Sequence, residues 1–305
     1  MSEQKLVSVI IPNYNHASYL DERIQSVLAQ TYKNIEVIIL DDCSTDNSLE
    51  VIKKYEIDSR LVKVVVNKQN SGSTFEQWEK GFELSSGEFI WIAESDDSCS
   101  PYLLETLVKP MILYSDCVLS YSRSLRLNID GLFYNIYESQ QDMNNELYLK
   151  GADFINVYLK NQNYIVNASS AIFKKESLLS IKHDYRSWKG CGDWLFWIYL
   201  AETGNVAYTP YALNYFRYHL LNTTSKKDKD GTNDTEMKKI IDYLNSCGYY
   251  SCNEYLAKRV GRYLWHKSLM PFESHELEKK FIEEWNLSKL SILSYKANQL
   301  FNKLF

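Results

Sequence analysis

Short β-branched runs alternate with stretches of helical spacing along the first third of this chain, and that alternation limits the possible folds more than any other feature. Residues 6–12 form an apolar run fit for a buried parallel strand, and Pro12-Asn13-Tyr14-Asn15 then ends it. Leu20, Ile24, Val27 and Leu28 recur at helical spacing within 18–30, and 34–40 is a second β-rich run closing on Asp41-Asp42. Polar Ser44 to Ser48 offers capping residues for a helix over 49–55. A strand over 62–66, a helix over 75–84, a turn at Gly87 and a strand over 89–93 follow. Such a series predicts an α/β fold with a mostly parallel, doubly wound sheet. In sheets of this kind ligands bind outside the carboxyl ends of the strands, where the loops 12–15, 41–42 and 94–97 all fall.

The last of these loops, Glu94-Ser95-Asp96-Asp97, brings three carboxylates onto the exit of one strand. Carboxylates so close repel one another when all are ionised, so the loop either raises a pKa or holds a hard divalent cation. Taken alone, a solvated acidic turn is the simpler reading. The first loop has no G-x-G-x-x-G and the chain no G-x-x-x-x-G-K-[ST], which argues against dinucleotide enzymes and P-loop NTPases. With 305 residues, 45% hydrophobic, 24% charged and a net charge of −5, the chain reads as globular and lacks the clustered cations that nucleic acid demands. The six cysteines show no C-x-x-C spacing and the N-terminus no apolar signal core, so a reducing, cytoplasmic setting is expected. No window approaches the roughly 20 apolar residues of a spanning helix, so any membrane contact is expected to be peripheral.

Two further segments carry candidates. Asp193 follows Gly190-Cys191-Gly192 and precedes an aromatic-rich apolar segment, the position of a helix N-cap. Trp188 and Trp194 beside it serve either core packing or a sugar ring. Residues 215–225 alternate like a strand before breaking into a hydroxyl-rich loop, with Arg217 and His219 on one face. Past 230 the spacing is helical over 235–245, 253–267, 275–285 and 286–305. The last of these places Leu290, Leu293, Ala297, Leu300 and Leu304 on one stripe, with Lys289, Lys296 and Lys303 elsewhere. That helix suits docking, a homodimer, or attachment to a membrane surface.

Val7 to Asn15, Ser26 to Tyr32, Asp41 to Asp46 and Glu94 to Asp97 together resemble, in order and spacing, the family-2 inverting glycosyltransferases of bacterial surface-polysaccharide type. The resemblance covers roughly 5–100, returns around 186–225 and fades elsewhere. It implies a GT-A fold over 1–228, followed by a helical region over 229–305, and a nucleotide-sugar donor of the UDP-sugar kind. By the same resemblance Pro12 and Tyr14 lie beside the base, Asp42 accepts a hydrogen bond from it, and Asp96 binds Mn²⁺ or Mg²⁺. Glu94 and Asp97 then contribute to ribose, metal or donor orientation, His219 is a metal ligand, and Arg217 or Lys226 balances the leaving diphosphate. Asp193 is the implied general base, activating a hydroxyl of a glycan or lipid-linked acceptor, with capsule or O-antigen assembly at the inner face of the cell membrane as the setting. After Asn70-Ser71-Gly72 the family's usual arginine is absent, which leaves Gln77 and Lys80 as candidates for the phosphates. A scaffold that keeps the donor pocket without transfer is the alternative.

Overall fold

The computed structural model describes residues 4–128, 130–136, 143–218, 231–272 and 274–304. The chain divides into two compact units, Met1–Ser225 and Lys226–Phe305. In the first, β1 (Val7–Asn13), β2 (Ile35–Asp41), β3 (Leu61–Val66) and β4 (Phe89–Ile92) alternate with α1 (Ala17–Leu28), α2 (Ser48–Lys53) and α3 (Thr74–Leu84). β1 pairs in parallel with β2 and β4, and β2 with β3, as the alternation predicts.

Beyond β4 the sheet becomes mixed. A helix, α4 (Leu103–Leu113), leads to β6 (Cys117–Leu127), and β9 (Ala171–Lys174) runs antiparallel to both β4 and β6. β10 (Asn205–Arg217) returns parallel to β6 and takes the short β5 (Ser98–Cys99) on its other side. The sheet order is β3-β2-β1-β4-β9-β6-β10-β5, with β7 (Phe133–Ile136) on β6 and β8 (Leu147–Lys150) on β10. Since β9 lies between β4 and β6, the parallel half and the antiparallel half meet next to the acidic loop.

Helices on both faces bury the central strands. Val7, Val9 and Ile11 join Leu20, Ile24 and Val27 of α1 in one cluster. On the opposite face Gly81 of α3 lies so near β1 that a Cβ there would stand 2.5 Å from Ile10 Cγ2. The helix Gly192–Ala201 is apolar all round, as fits one whose residues from Trp194 onward are all buried.

Among its described residues the second unit holds four helices: Thr232–Ser246, Cys252–Leu269, His275–Glu284 and Lys289–Leu304. Ser251 and Glu254 cap the second of them reciprocally, and Ser274 caps the third. The buried Asp234 carboxylate accepts from Arg262 Nε at 2.6 Å and lies 2.9 Å from His266 Nε2. Leu290 and Leu293 of the last helix are exposed, while Ala297, Leu300 and Leu304 of the expected stripe fall outside the described side chains. Among the described residues no helix is long and apolar enough to cross a membrane.

Candidate active site

The parallel strands end together, so their loops are laced to one another. Asn13 Nδ2 donates to Asp41 Oδ2 at 2.7 Å, and Asp41 Oδ1 accepts from the Ser44 amide at 2.8 Å. Asn15 and Cys43 adopt left-handed backbone, φ +55° and +64°, and Asn15 Oδ1 accepts from the Thr45 amide at 2.7 Å. Left-handed non-glycine residues persist only where surrounding bonds hold them, and here they sit side by side at the sheet edge. Pro12 is buried as part of β1, whose pairing runs one residue past it to Asn13, while Tyr14 stands 46% exposed beyond.

Asp42 is buried and ties this edge to the stretch 67–77. Its Oδ1 accepts from Asn67 Nδ2 at 2.6 Å and Gln77 Nε2 at 3.0 Å, and its Oδ2 from Ser71 Oγ at 2.8 Å. Lys80 Nζ in turn donates to Asn67 Oδ1. Gln77 and Lys80, candidates for the phosphates, are thus engaged in ordering the Asp42 loop.

The acidic loop is held from four sides. Glu94 Oε1 accepts from Trp78 Nε1 of α3 at 2.9 Å, and the Glu94 amide donates to Ser169 Oγ at 3.0 Å. Asp97 is 1% exposed and turned inward, accepting from Ser169 Oγ at 2.7 Å and from the Arg217 amide at 3.1 Å. Fully buried Arg23 of α1 donates to the Glu94 carbonyl at 2.8 Å and brings its Nη2 within 3.7 Å of Asp97 Oδ2. Ser95 Oγ lies 2.8 Å from His16 Nδ1. Loss of solvent, then the neighbouring charges of Asp96 and Asp97, push the Glu94 carboxyl up to about 8. Burial and Asp96 push Asp97 upward as well, against the pull of Arg23. Asp96, at the tip, is the half-buried member of the Asp96-Asp97 pair.

Asp193 lies in the first turn of the helix Gly192–Ala201, whose N-cap is Cys191, two residues before it, so the N-cap reading is corrected. Its Oδ2 accepts from Asn163 Nδ2 at 2.9 Å. Gly192 seats this turn against α3, since a Cβ would stand 2.6 Å from the Phe75 ring and 2.9 Å from the Tyr185 carbonyl. Trp188 and Trp194 are both buried, and Trp194 Nε1 donates to the Leu159 carbonyl at 2.8 Å, which makes the pair core residues.

Arg217 closes the site from β10. Its Nη2 donates to Glu22 Oε2 at 2.6 Å and its Nε to the Asp96 carbonyl at 3.2 Å, with the guanidinium 5.1 Å from the Tyr19 ring. His219 and Lys226 lie outside the described residues. Arg23, Trp78, Asn163 and Ser169 escaped the sequence reading. Only Arg23 left a signal, a charge three residues after Leu20 on the buried stripe of α1.

Among the described residues no three His, Cys, Asp or Glu side chains form a ready metal cage. A magnesium-type site needs none, because one or two carboxylates and the substrate's phosphates can supply its oxygens. Burial first, and the charge of Asp96 second, raise the Glu94 and Asp97 carboxyls, and a divalent cation at Asp96 would offset the second of these.

A mixed α/β sheet with an acidic loop at the carboxyl edge of its parallel half defines a GT-A-type fold. S. aureus TarS 1–349, solved in complex with UDP-GlcNAc, shares it with a TM-score of 0.67 at 18% identity, over 92% of this chain and 79% of that one. The chain belongs to glycosyl transferase family 2, whose domain matches residues 8–178. It is 36% identical to the glycosyltransferase GlyG of Streptococcus pneumoniae serotype 4 over 157 residues, 50% of this chain and 46% of GlyG. The putative teichuronic acid biosynthesis glycosyltransferase TuaG of Bacillus subtilis is 34% identical over 126 residues, 41% of this chain and 49% of TuaG. The chain thus spans about half the length of these curated relatives.

Proposed function

We propose that the protein is a divalent-metal-dependent, inverting glycosyltransferase that moves a sugar from a nucleotide sugar, of the UDP kind, to a hydroxyl of a glycan or lipid-linked acceptor. What carries the reading is that one helix, α3, supports both acidic groups: Trp78 bonds Glu94 while Phe75 seats the turn bearing Asp193. Asp193 takes the proton of the acceptor hydroxyl as its oxygen attacks the anomeric carbon from the face opposite the diphosphate. The new glycosidic bond forms as the bond to the diphosphate oxygen breaks, and that oxygen keeps the electron pair, so the configuration inverts. Asn163 orients the Asp193 carboxylate through Oδ2. A bound divalent cation supplies charge neutralisation of the diphosphate, and Asp96, with His219, is the residue that would hold it.

Tyr14, exposed at the end of β1, and Pro12 line the base side, with Asp42 at its rim. Buried Asp97 supports the loop from beneath, and Arg217 orders it from β10, nearest the leaving phosphates. Residues 1–228 form the catalytic part and 229–305 a helical region that docks, dimerises or meets a membrane surface. The name of TuaG supports a setting in bacterial surface-polysaccharide synthesis, and the UDP-GlcNAc complex of TarS supports a UDP-sugar donor. The test is Asp193→Asn, which keeps the shape and loses the base. Transfer is expected to fall at least about a hundredfold while nucleotide-sugar binding by calorimetry stays within about twofold. Near-normal turnover would remove Asp193 from the role of base.

A further inference from the structure

Trp78 touches both halves of the site and is itself only 2% exposed. Its indole Nε1 donates to Glu94 Oε1 at 2.9 Å. Its ring stands edge-on to Phe196 at 5.7 Å and tilted to Trp197 at 6.3 Å, both on the helix that begins at Gly192 and carries Asp193. Phe75, one turn earlier on α3, meets Trp78 edge-on at 5.0 Å and presses on Gly192. Two acidic segments remote in sequence therefore rest on the same face of the same helix, and one side chain reaches both.

A buried indole needs only one acceptor, and any carbonyl would satisfy it. Here the acceptor is the carboxyl group that heads the acidic loop, two residues before Asp96. We propose that Trp78 is a positioning residue that sets the acidic loop in register with the Asp193 helix. This rests on the reading that the loop faces the donor and Asp193 the acceptor.

Trp78→Phe keeps an aromatic ring in place and deletes the N–H; Phe82→Leu serves as its control. Phe82 lies on the same helix, stacked 6.0 Å from Phe196 and edge-on to Phe173, and has no bond to Glu94. Amide hydrogen exchange is followed in the ligand-free protein over 93–98, and calorimetry measures UDP with Mn²⁺. Trp78→Phe is expected to speed exchange over 93–98 and weaken UDP binding about tenfold, the size of one lost hydrogen bond. Phe82→Leu is expected to lower Tm without either effect. Unchanged exchange in Trp78→Phe, or equal loop exchange in Phe82→Leu, would overturn the proposal. As an approach from the other partner, Glu94→Ala is expected to speed the same exchange, and adding Trp78→Phe to it to speed it no further; an additive result would also overturn it. Wild-type protein that binds no UDP with Mn²⁺ would contradict the donor reading instead, and the exchange data would still decide the role of Trp78.

Discussion

At the scale of single residues, the acidic loop is a balance between repulsion and anchoring. Glu94 and Asp97 titrate above the ordinary carboxylate range because burial and Asp96 disfavour their charged forms. The unfolded chain ionises them near pH 4, and the folded protein keeps protons on longer, so the folded state binds more protons between those limits. Stability in chelator is therefore expected to fall as pH rises from about 5 to about 8, and thermal melts across that range measure it. A slope of opposite sign localised to this loop by Glu94→Gln would contradict the balance. Asn163 makes a separate prediction. With Ala there, Asp193 loses the Asn163 bond, and kcat should drop about tenfold while the donor KM holds, as steady-state kinetics would show.

Elements place these residues, and close approach sets where the elements go. Gly192 is required because Phe75 and the Tyr185 carbonyl occupy the space of a Cβ. Gly192→Ala should push the Asp193 turn away from α3 at a cost of about 1–3 kcal/mol in urea unfolding, with transfer lost beyond what stability explains. The sequence made the first four strands and three helices legible because their periodicity is unbroken, β1, β2 and β3 are neighbours both in sequence and in the sheet, and β4 joins the free side of β1. It also singled out Asp42, Asp96 and Asp193 as candidates, each next to a turn. Ser169 and Asn163 could not be read in the same way. They lie in the stretch between β8 and the Asp193 helix, where short helical turns and one short strand carry no sustained period, and their partners, the acidic loop for Ser169 and Asp193 for Asn163, are distant in sequence. Trp78 looked like any apolar residue of an amphipathic helix, since packing and hydrogen bonding share one side chain. The mixed second half of the sheet was hidden for a related reason: its antiparallel partners come from distant parts of the chain.

At the scale of the whole molecule, the first unit holds every described residue of the proposed site. A fragment of residues 1–228 is accordingly expected to melt cooperatively and to keep its nucleotide response, whereas a fragment without a cooperative transition would show that the catalytic part needs the helical region. The central claim is that a nucleotide sugar and a divalent cation meet at Asp96. Thermal-shift measurements on the full chain with UDP-, GDP-, dTDP- and CMP-sugars, each in Mn²⁺ and in chelator, test it most directly, because a ligand that binds only the folded state raises its apparent stability. A rise is expected with a UDP-sugar in Mn²⁺ that disappears in chelator and in Asp96→Ala. A folded protein that no nucleotide sugar stabilises, or a rise that survives both chelator and the substitution, would contradict it.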